Sequence, residues 1–288
     1  MADLVAAGGK RIRPALVLLA AKCGTYELDR LTPAAIAAEL THAATLVHDD
    51  VIDRAQVRRG RPTVAARLGD EPAIVVGDFY FAKAYEQAAF TDSPEVVAIL
   101  ARAVMDICAG EVRQQAIRHR YDTDVEEYMR RIEAKTATLL AACCDIGALL
   151  GGIDGTKRSA LRAYGRLLGL AFQIADDVLD YEGSEDEIGK PIGHDIAEGF
   201  ATLPLMLAME DAPIAGKLGR LLRSGSELTN AEAKQVVDLV RASRGPRRAL
   251  ERARELSASA RRQLETLGPG EAADALAALT NYVVSRKL

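Results

Sequence analysis

The sequence predicts an all-α fold, a single helical domain over residues 1–288, on three observations. The chain is 49% hydrophobic but only 5% aromatic and has no Trp. Its core is therefore built from Ala, Leu, Val and Ile, a mix that suits close-packed helices better than a sheet. Helix-start signals recur along the whole length, and no stretch alternates apolar and polar residues with period two, so no strand is expected. The length allows one large domain or two modest ones, and no shift in composition marks a boundary.

Taken in order, Thr32-Pro33 reads as a cap followed by proline at the first helical position. The run it opens reaches Asp53, roughly 30 Å at 1.5 Å per residue. Ser93-Pro94 repeats the signal. Thr123-Asp124-Val125-Glu126 and Thr229-Asn230-Ala231-Glu232 read as capping boxes, the first opening a helix that runs to Gly151-Gly152. Another helix begins near Thr156 and is broken by Gly183. Gly245-Pro246 and Gly268-Pro269-Gly270 separate the last two. Two segments depart from this pattern: a basic loop from Arg54 to Pro62 and a polar, glycine-punctuated loop from Gly183 to Gly199. Loops that follow a site-bearing helix are natural lids and clamps.

Composition also excludes functions. A net charge of -4 and a pI near 5.7 argue against nonspecific nucleic-acid binding. Cys23, Cys108, Cys143 and Cys144 show no CxxC spacing, so reduced, packed thiols in a cytoplasmic protein are expected. Met1 to Gly9 has no basic start followed by an apolar core. The apolar stretch Leu139 to Ile153 is broken by Asp145 and ends in glycines, too short to span a bilayer. The Arg-rich stretch from Arg241 to Arg262 reads as a solvated amphipathic face.

The most informative residues are two copies of one acidic motif, Asp49-Asp50-Val51-Ile52-Asp53 and Asp176-Asp177-Val178-Leu179-Asp180. On a helix, residues three and four apart share a face, so Asp49 lies with Asp53 and Asp176 with Asp180. Like charges so placed repel, and carboxylates on a mostly apolar helix carry a desolvation cost. A hard divalent cation removes both problems, and Mg2+ prefers a few carboxylates plus water and phosphate oxygens. The two faces could thus hold a diphosphate through bridging metals.

With these motifs go Gly8-Gly9-Lys10-Arg11-Ile12-Arg13-Pro14, His42, Arg58-Arg59-Gly60-Arg61-Pro62-Thr63, Gly77-Asp78-Phe79, Lys135-Thr136 and Phe172-Gln173. Gly189-Lys190-Pro191, Gly193-His194-Asp195 and Thr202-Leu203-Pro204 complete the set. Together they resemble the trans-isoprenyl diphosphate synthases of the polyprenyl synthetase family, from Gly8 to the carboxyl terminus. The resemblance implies a helical bundle of the isoprenoid synthase type around a deep apolar pocket. It also implies condensation of isopentenyl diphosphate with an allylic diphosphate by ionisation, condensation and elimination. Homodimers are expected from the resemblance alone.

The same resemblance assigns roles. Mg2+ held by Asp49, Asp53 and Asp176 would neutralise the leaving diphosphate as a Lewis acid, with Asp50, Asp177 and Asp180 in support. Lys135, Arg58 and Lys190 match cationic contacts to that diphosphate, where fixed charge is worth most in a water-poor pocket. Lys10, Arg13, His42 and Arg59 match the positions that hold isopentenyl diphosphate, the arginines by two-pronged contact. Thr136 and Gln173 match polar residues near the developing cation, and the departing pyrophosphate is the expected base. His48 is as readily a structural neighbour of the motif as a part of it.

Product length is partly readable. Ala44 and Thr45, five and four residues before Asp49, face down the family's tunnel, and Ala44 leaves the floor open. A product of at least twenty carbons is implied, with Tyr80, Phe81 and Met105 as candidate deeper plugs. One departure is Phe200, where the family usually has Lys, so a diphosphate contact is expected to be missing. A His-Asp phosphohydrolase would need more than the four histidines present. A terpene cyclase usually replaces the second cluster with an Asn/Ser/Glu pattern. A non-catalytic subunit of a heteromeric synthase typically loses one motif, and this chain keeps both.

Overall fold

The computed structural model describes residues 10–58, 60–183, 192–222 and 227–285. The fold is all-α. The helices, in order, are α1 (Ile12–Ala21), α2 (Leu28–Ile52), α3 (Val64–Leu68), α4 (Asp70–Ala89), α5 (Pro94–Ala116), α6 (Val125–Ile132) and α7 (Thr138–Leu150). There follow α8 (Gly155–Glu182), α9 (His194–Ala197), α10 (Leu203–Ala208), α11 (Ala212–Leu221), α12 (Asn230–Arg241), α13 (Gly245–Gln263) and α14 (Glu271–Val284). A π-turn, Glu133–Ala137, joins α6 to α7. The expectation of no strand needs one amendment: Val57–Arg58 and Arg61–Pro62 form a two-residue antiparallel hairpin, β1 and β2, inside the basic loop. Among the described residues no helix is long and apolar enough to cross a membrane.

The elements group into two compact units made of interleaved segments. The first comprises Met1–Met105, Leu139–Gly165 and Leu264–Leu276; the second comprises Asp106–Thr138, Arg166–Gln263 and Ala277–Leu288.

In the first unit α1 packs on α2, and α2 lies along α4. The small residues predicted from composition set the spacing. A Cβ at Gly147 would sit 2.2 Å from the carbonyl oxygen of Val17, so α7 approaches α1 more closely than any side chain permits. Helix α2 starts at Leu28, ahead of the expected Thr32-Pro33. Thr32 is not its cap; its hydroxyl donates back to the carbonyl of Leu28. Burial of Leu31, Ala34, Ala35 and Ala38 extends the helix through Pro33 despite the lost hydrogen bond. Asp145, the charge that interrupts the apolar α7, is buried and receives Nε of Arg158 at 2.5 Å, while the same guanidinium reaches Glu95 at 2.7 Å.

In the second unit a cluster built on Tyr181, Ile196, Leu205, Val236, Val237 and Val240 forms the core. Thr229 and Glu232 make the expected capping box on α12. At the start of α6 the cap is Asp124, whose carboxylate accepts from the Glu127 amide, rather than Thr123.

Candidate active site

The first acidic motif occupies the last turn of α2. Its three carboxylates differ in environment: Asp50 is fully buried, whereas Asp49 and Asp53 are half-buried. Asp53 is the C-cap of α2, and Arg54 then takes a left-handed conformation (φ 50°) that turns the chain out of the helix. The loop is tied back on itself. The Asp50 carbonyl accepts from the Ala55 amide at 2.9 Å, and the Thr63 hydroxyl donates to the Ala55 carbonyl at 2.7 Å. The hairpin pairs Arg58 with Arg61. Arg58, assigned by the sequence to a substrate diphosphate, donates from Nε to Oδ1 of Asp50 at 2.6 Å. Arg59 lies outside the described residues.

His42 is half-buried two turns before Asp49 on α2, and its carbonyl accepts from the Thr45 hydroxyl at 2.9 Å. Lys10 is exposed just ahead of α1, and Arg13 is half-buried on it. Arg11, between them, forms an ion pair with Glu39 of α2. His48 packs against α4. Its Nε2 lies 3.0 Å from the carbonyl oxygen of Ile74 and 3.5 Å from Oδ1 of Asp78, and its ring is 5.7 Å from that of Phe81. The imidazole fills the space a side chain at Gly77 would need, where a Cβ would lie 2.1 Å from Nε2. This explains the glycine of Gly77-Asp78-Phe79. Ala44 is buried in a cluster with Val47, Ala73 and Tyr80, against which Phe81 packs; Met105 is exposed.

The second motif lies near the end of α8. Here Asp176 is exposed, while Asp177 and Asp180 are buried. The Asp177 carboxylate accepts from the Tyr128 hydroxyl at 2.7 Å and from the Gln173 amide at 2.8 Å. Burial and then the charge of Asp195 raise its pKa, opposed by those two donors and by Arg131. Asp180 accepts from the backbone amides of His194 and Asp195, both at 3.1 Å, and so fixes the start of α9. Burial, followed by Asp195, pushes its pKa up to about 8.

Lys135 and Thr136 sit in the π-turn, a local widening of the helix that often marks functional sites. Thr136 donates to Oε1 of Gln173 at 2.6 Å, so these two expected polar residues are neighbours. Nζ of Lys135 is 3.0 Å from Oε2 of Glu111. Lys190 lies outside the described residues. Phe200 is buried, with the guanidinium carbons of Arg118 and Arg131 each 5.8 Å from its ring centre. Sequence reasoning missed Tyr128 and Arg131, since neither belongs to a motif and a buried helical Tyr carries no sign of its partner.

Among the described residues no group of three or more His, Cys, Asp or Glu side chains is placed to hold a metal ion. Mg2+ is commonly held by one or two carboxylates, with water and phosphate oxygens completing its shell; half-buried Asp49 and Asp53 on α2 and exposed Asp176 on α8 are carboxylates of that kind.

A family profile described as polyprenyl synthetase matches residues 1–240. The chain is 42% identical over 238 residues to heptaprenyl diphosphate synthase component 2 of Geobacillus stearothermophilus, covering 83% of this chain and 73% of that one. It is 38% identical over 291 residues to a short chain isoprenyl diphosphate synthase of Methanothermobacter thermautotrophicus, covering 99% and 88%. It also superposes with a TM-score of 0.92 at 39% identity on the crystal structure of a Caulobacter crescentus polyprenyl synthase complexed with calcium and isoprenyl diphosphate, covering 99% of this chain and 87% of that one.

Proposed function

The chain belongs to the polyprenyl synthetase family, and from that membership we propose that it joins isopentenyl diphosphate head to tail, in trans, to an allylic diphosphate. The product proposed is a polyprenyl diphosphate of at least twenty carbons. The observation that carries this reading is the same division of labour in both motifs. The first aspartate of each, Asp49 or Asp176, is accessible, and the second, Asp50 or Asp177, is buried on an internal donor. Such a pattern presents the first carboxylate of each motif toward solvent and uses the second to brace the helix that carries it.

In this reading Asp49, Asp53 and Asp176 hold Mg2+, which supplies Lewis acidity at the leaving diphosphate. The structure of the Caulobacter crescentus relative with a divalent cation and an isoprenyl diphosphate supports that pairing. Arg58, Lys135 and Lys190 add fixed positive charge to the allylic diphosphate. Lys10, Arg13, His42 and Arg59 hold the other diphosphate without metal, which keeps isopentenyl diphosphate from ionising. Thr136 and Gln173 turn oxygen dipoles toward the allylic cation, stabilising it without capturing it.

The relatives are named for products of different length, short chain in one and heptaprenyl or nonaprenyl in others, so length rests on the chain's own residues. Ala44 is small, and Tyr80 lies in its cluster. We assign Tyr80 as the residue that limits growth beyond the space Ala44 leaves. The protein is proposed to act as a cytoplasmic homodimer.

A second reading has a specific observation behind it. The Geobacillus stearothermophilus relative is a numbered component, so this chain would instead be one subunit of a heteromeric synthase. Condensation by the purified chain alone, with Mg2+ and a series of allylic primers, supports the first reading. Activity that appears only on adding a second polypeptide supports the other.

A further inference from the structure

Asp177 uses both carboxylate oxygens internally, Oδ2 for the Tyr128 hydroxyl and Oδ1 for the Gln173 amide nitrogen. With its nitrogen held there, Gln173 turns Oε1 to the Thr136 hydroxyl at 2.6 Å. Without that anchor the amide could rotate and exchange its oxygen for its nitrogen. The direction of the Gln173 dipole is therefore set by Asp177, and the place of Asp177 by Tyr128.

The bracing continues outward. Arg131 is buried, its guanidinium carbon lies 5.4 Å from the Tyr128 ring centre, and its NH2 donates to the carbonyl of Ala201 at 2.7 Å. The same guanidinium carbon is 5.8 Å from the ring centre of Phe200, which is also 5.8 Å from that of Arg118. Arg118 in turn donates from Nε to the carbonyl of Glu198 at 2.7 Å. A guanidinium is attracted to the faces of aromatic rings, so Phe200 holds two cations that another cation at its position would repel.

We propose that Tyr128 and Phe200 are positioning residues that fix the Gln173–Thr136 pair, Tyr128 directly through Asp177 and Phe200 by holding Arg131 against Tyr128. This rests on the synthase reading for its consequence, since the pair is the one assigned to the allylic cation. It also gives Phe200 a positive role. The lysine usual in the family would put a third charge between Arg118 and Arg131 and loosen the relay instead of restoring a lost contact.

The test combines kinetics with a readout that needs no turnover. Tyr128→Phe removes one oxygen and leaves the ring in place. It is expected to lower kcat by about tenfold while KM for isopentenyl diphosphate stays within about twofold. The Gln173 side-chain amide signals in a nitrogen-15 spectrum, identified by their loss in Gln173→Glu, are expected to move. Phe200→Tyr, which keeps the stacked ring, should retain kcat and those signals, while Phe200→Leu and Phe200→Lys should reproduce the Tyr128→Phe effect. Unmoved Gln173 signals in Tyr128→Phe would overturn the proposal, as would wild-type kcat in Phe200→Lys. A fall in melting temperature without either change would mark a merely structural role and overturn it too. If the wild-type chain fails to condense any primer, the synthase reading fails, while the Gln173 signals still decide the relay.

Discussion

Nε of Arg58 lies 2.6 Å from Oδ1 of Asp50, and the carboxylate it meets has no solvent exposure. The pair joins the last turn of α2 to the basic hairpin that follows, so the arginine assigned to substrate is also a structural anchor. Its two members should not be equivalent. Arg58→Met takes the cation from a buried carboxylate and is expected to destabilise the chain by about 3 kcal/mol. Asp50→Asn leaves a partly exposed guanidinium that water can reach, and a loss of about 1 kcal/mol is expected. Urea unfolding of both variants checks the order.

Gly77→Ala should lose about 2–3 kcal/mol by overpacking, because the new methyl would meet the His48 ring. Adding His48→Ala should recover much of the loss, a non-additivity that a double-mutant cycle reads directly. Equal losses in the single and double variants would show that the contact is not the cause.

Asp180 makes stability depend on pH. Its folded pKa, raised by burial and Asp195 from 3.8 to about 8, means the native state binds more protons than the unfolded chain between those values. The stabilising contribution is complete below the unfolded value and is lost as pH rises through about 8. In metal-free protein the melting temperature of the wild type should therefore fall between about pH 5 and about pH 9 more steeply than that of Asp180→Asn. Parallel curves would contradict this.

Tyr80→Ala is expected to lengthen the product by one or more isoprene units, since it removes the largest side chain from the cluster that holds Ala44. Ala44→Phe should shorten it. Sizing the dephosphorylated products of both variants beside the wild type checks the pair, and unchanged lengths would remove Tyr80 as the limit.

What the sequence made legible follows physical lines. Clustered carboxylates on apolar helices are costly, so both acidic motifs stood out, and Ser93-Pro94 and the Thr229–Glu232 box marked true helix starts. Thr32-Pro33 misled because the burial of neighbouring residues carried α2 through a proline. The π-turn holding Lys135 and Thr136 left no trace, since α7, which follows it, is buried nearly all round and has no one-sided apolar stripe to shift. Likewise the Tyr128–Asp177 bond joins residues far apart in the chain, and neither side chain alone announces it. Phe200 read as the loss of a lysine until Arg118 and Arg131 were seen on its ring.

The most direct test of the proposed reaction is to incubate the purified chain with Mg2+, labelled isopentenyl diphosphate and, in turn, dimethylallyl, geranyl, farnesyl and geranylgeranyl diphosphate. The dephosphorylated products are then sized beside Asp49→Ala and Asp176→Ala. A ladder ending at one length of twenty carbons or more, absent in both variants and after chelation, is the expected result. No condensation with any primer, or a ladder that ends at farnesyl diphosphate, would contradict it.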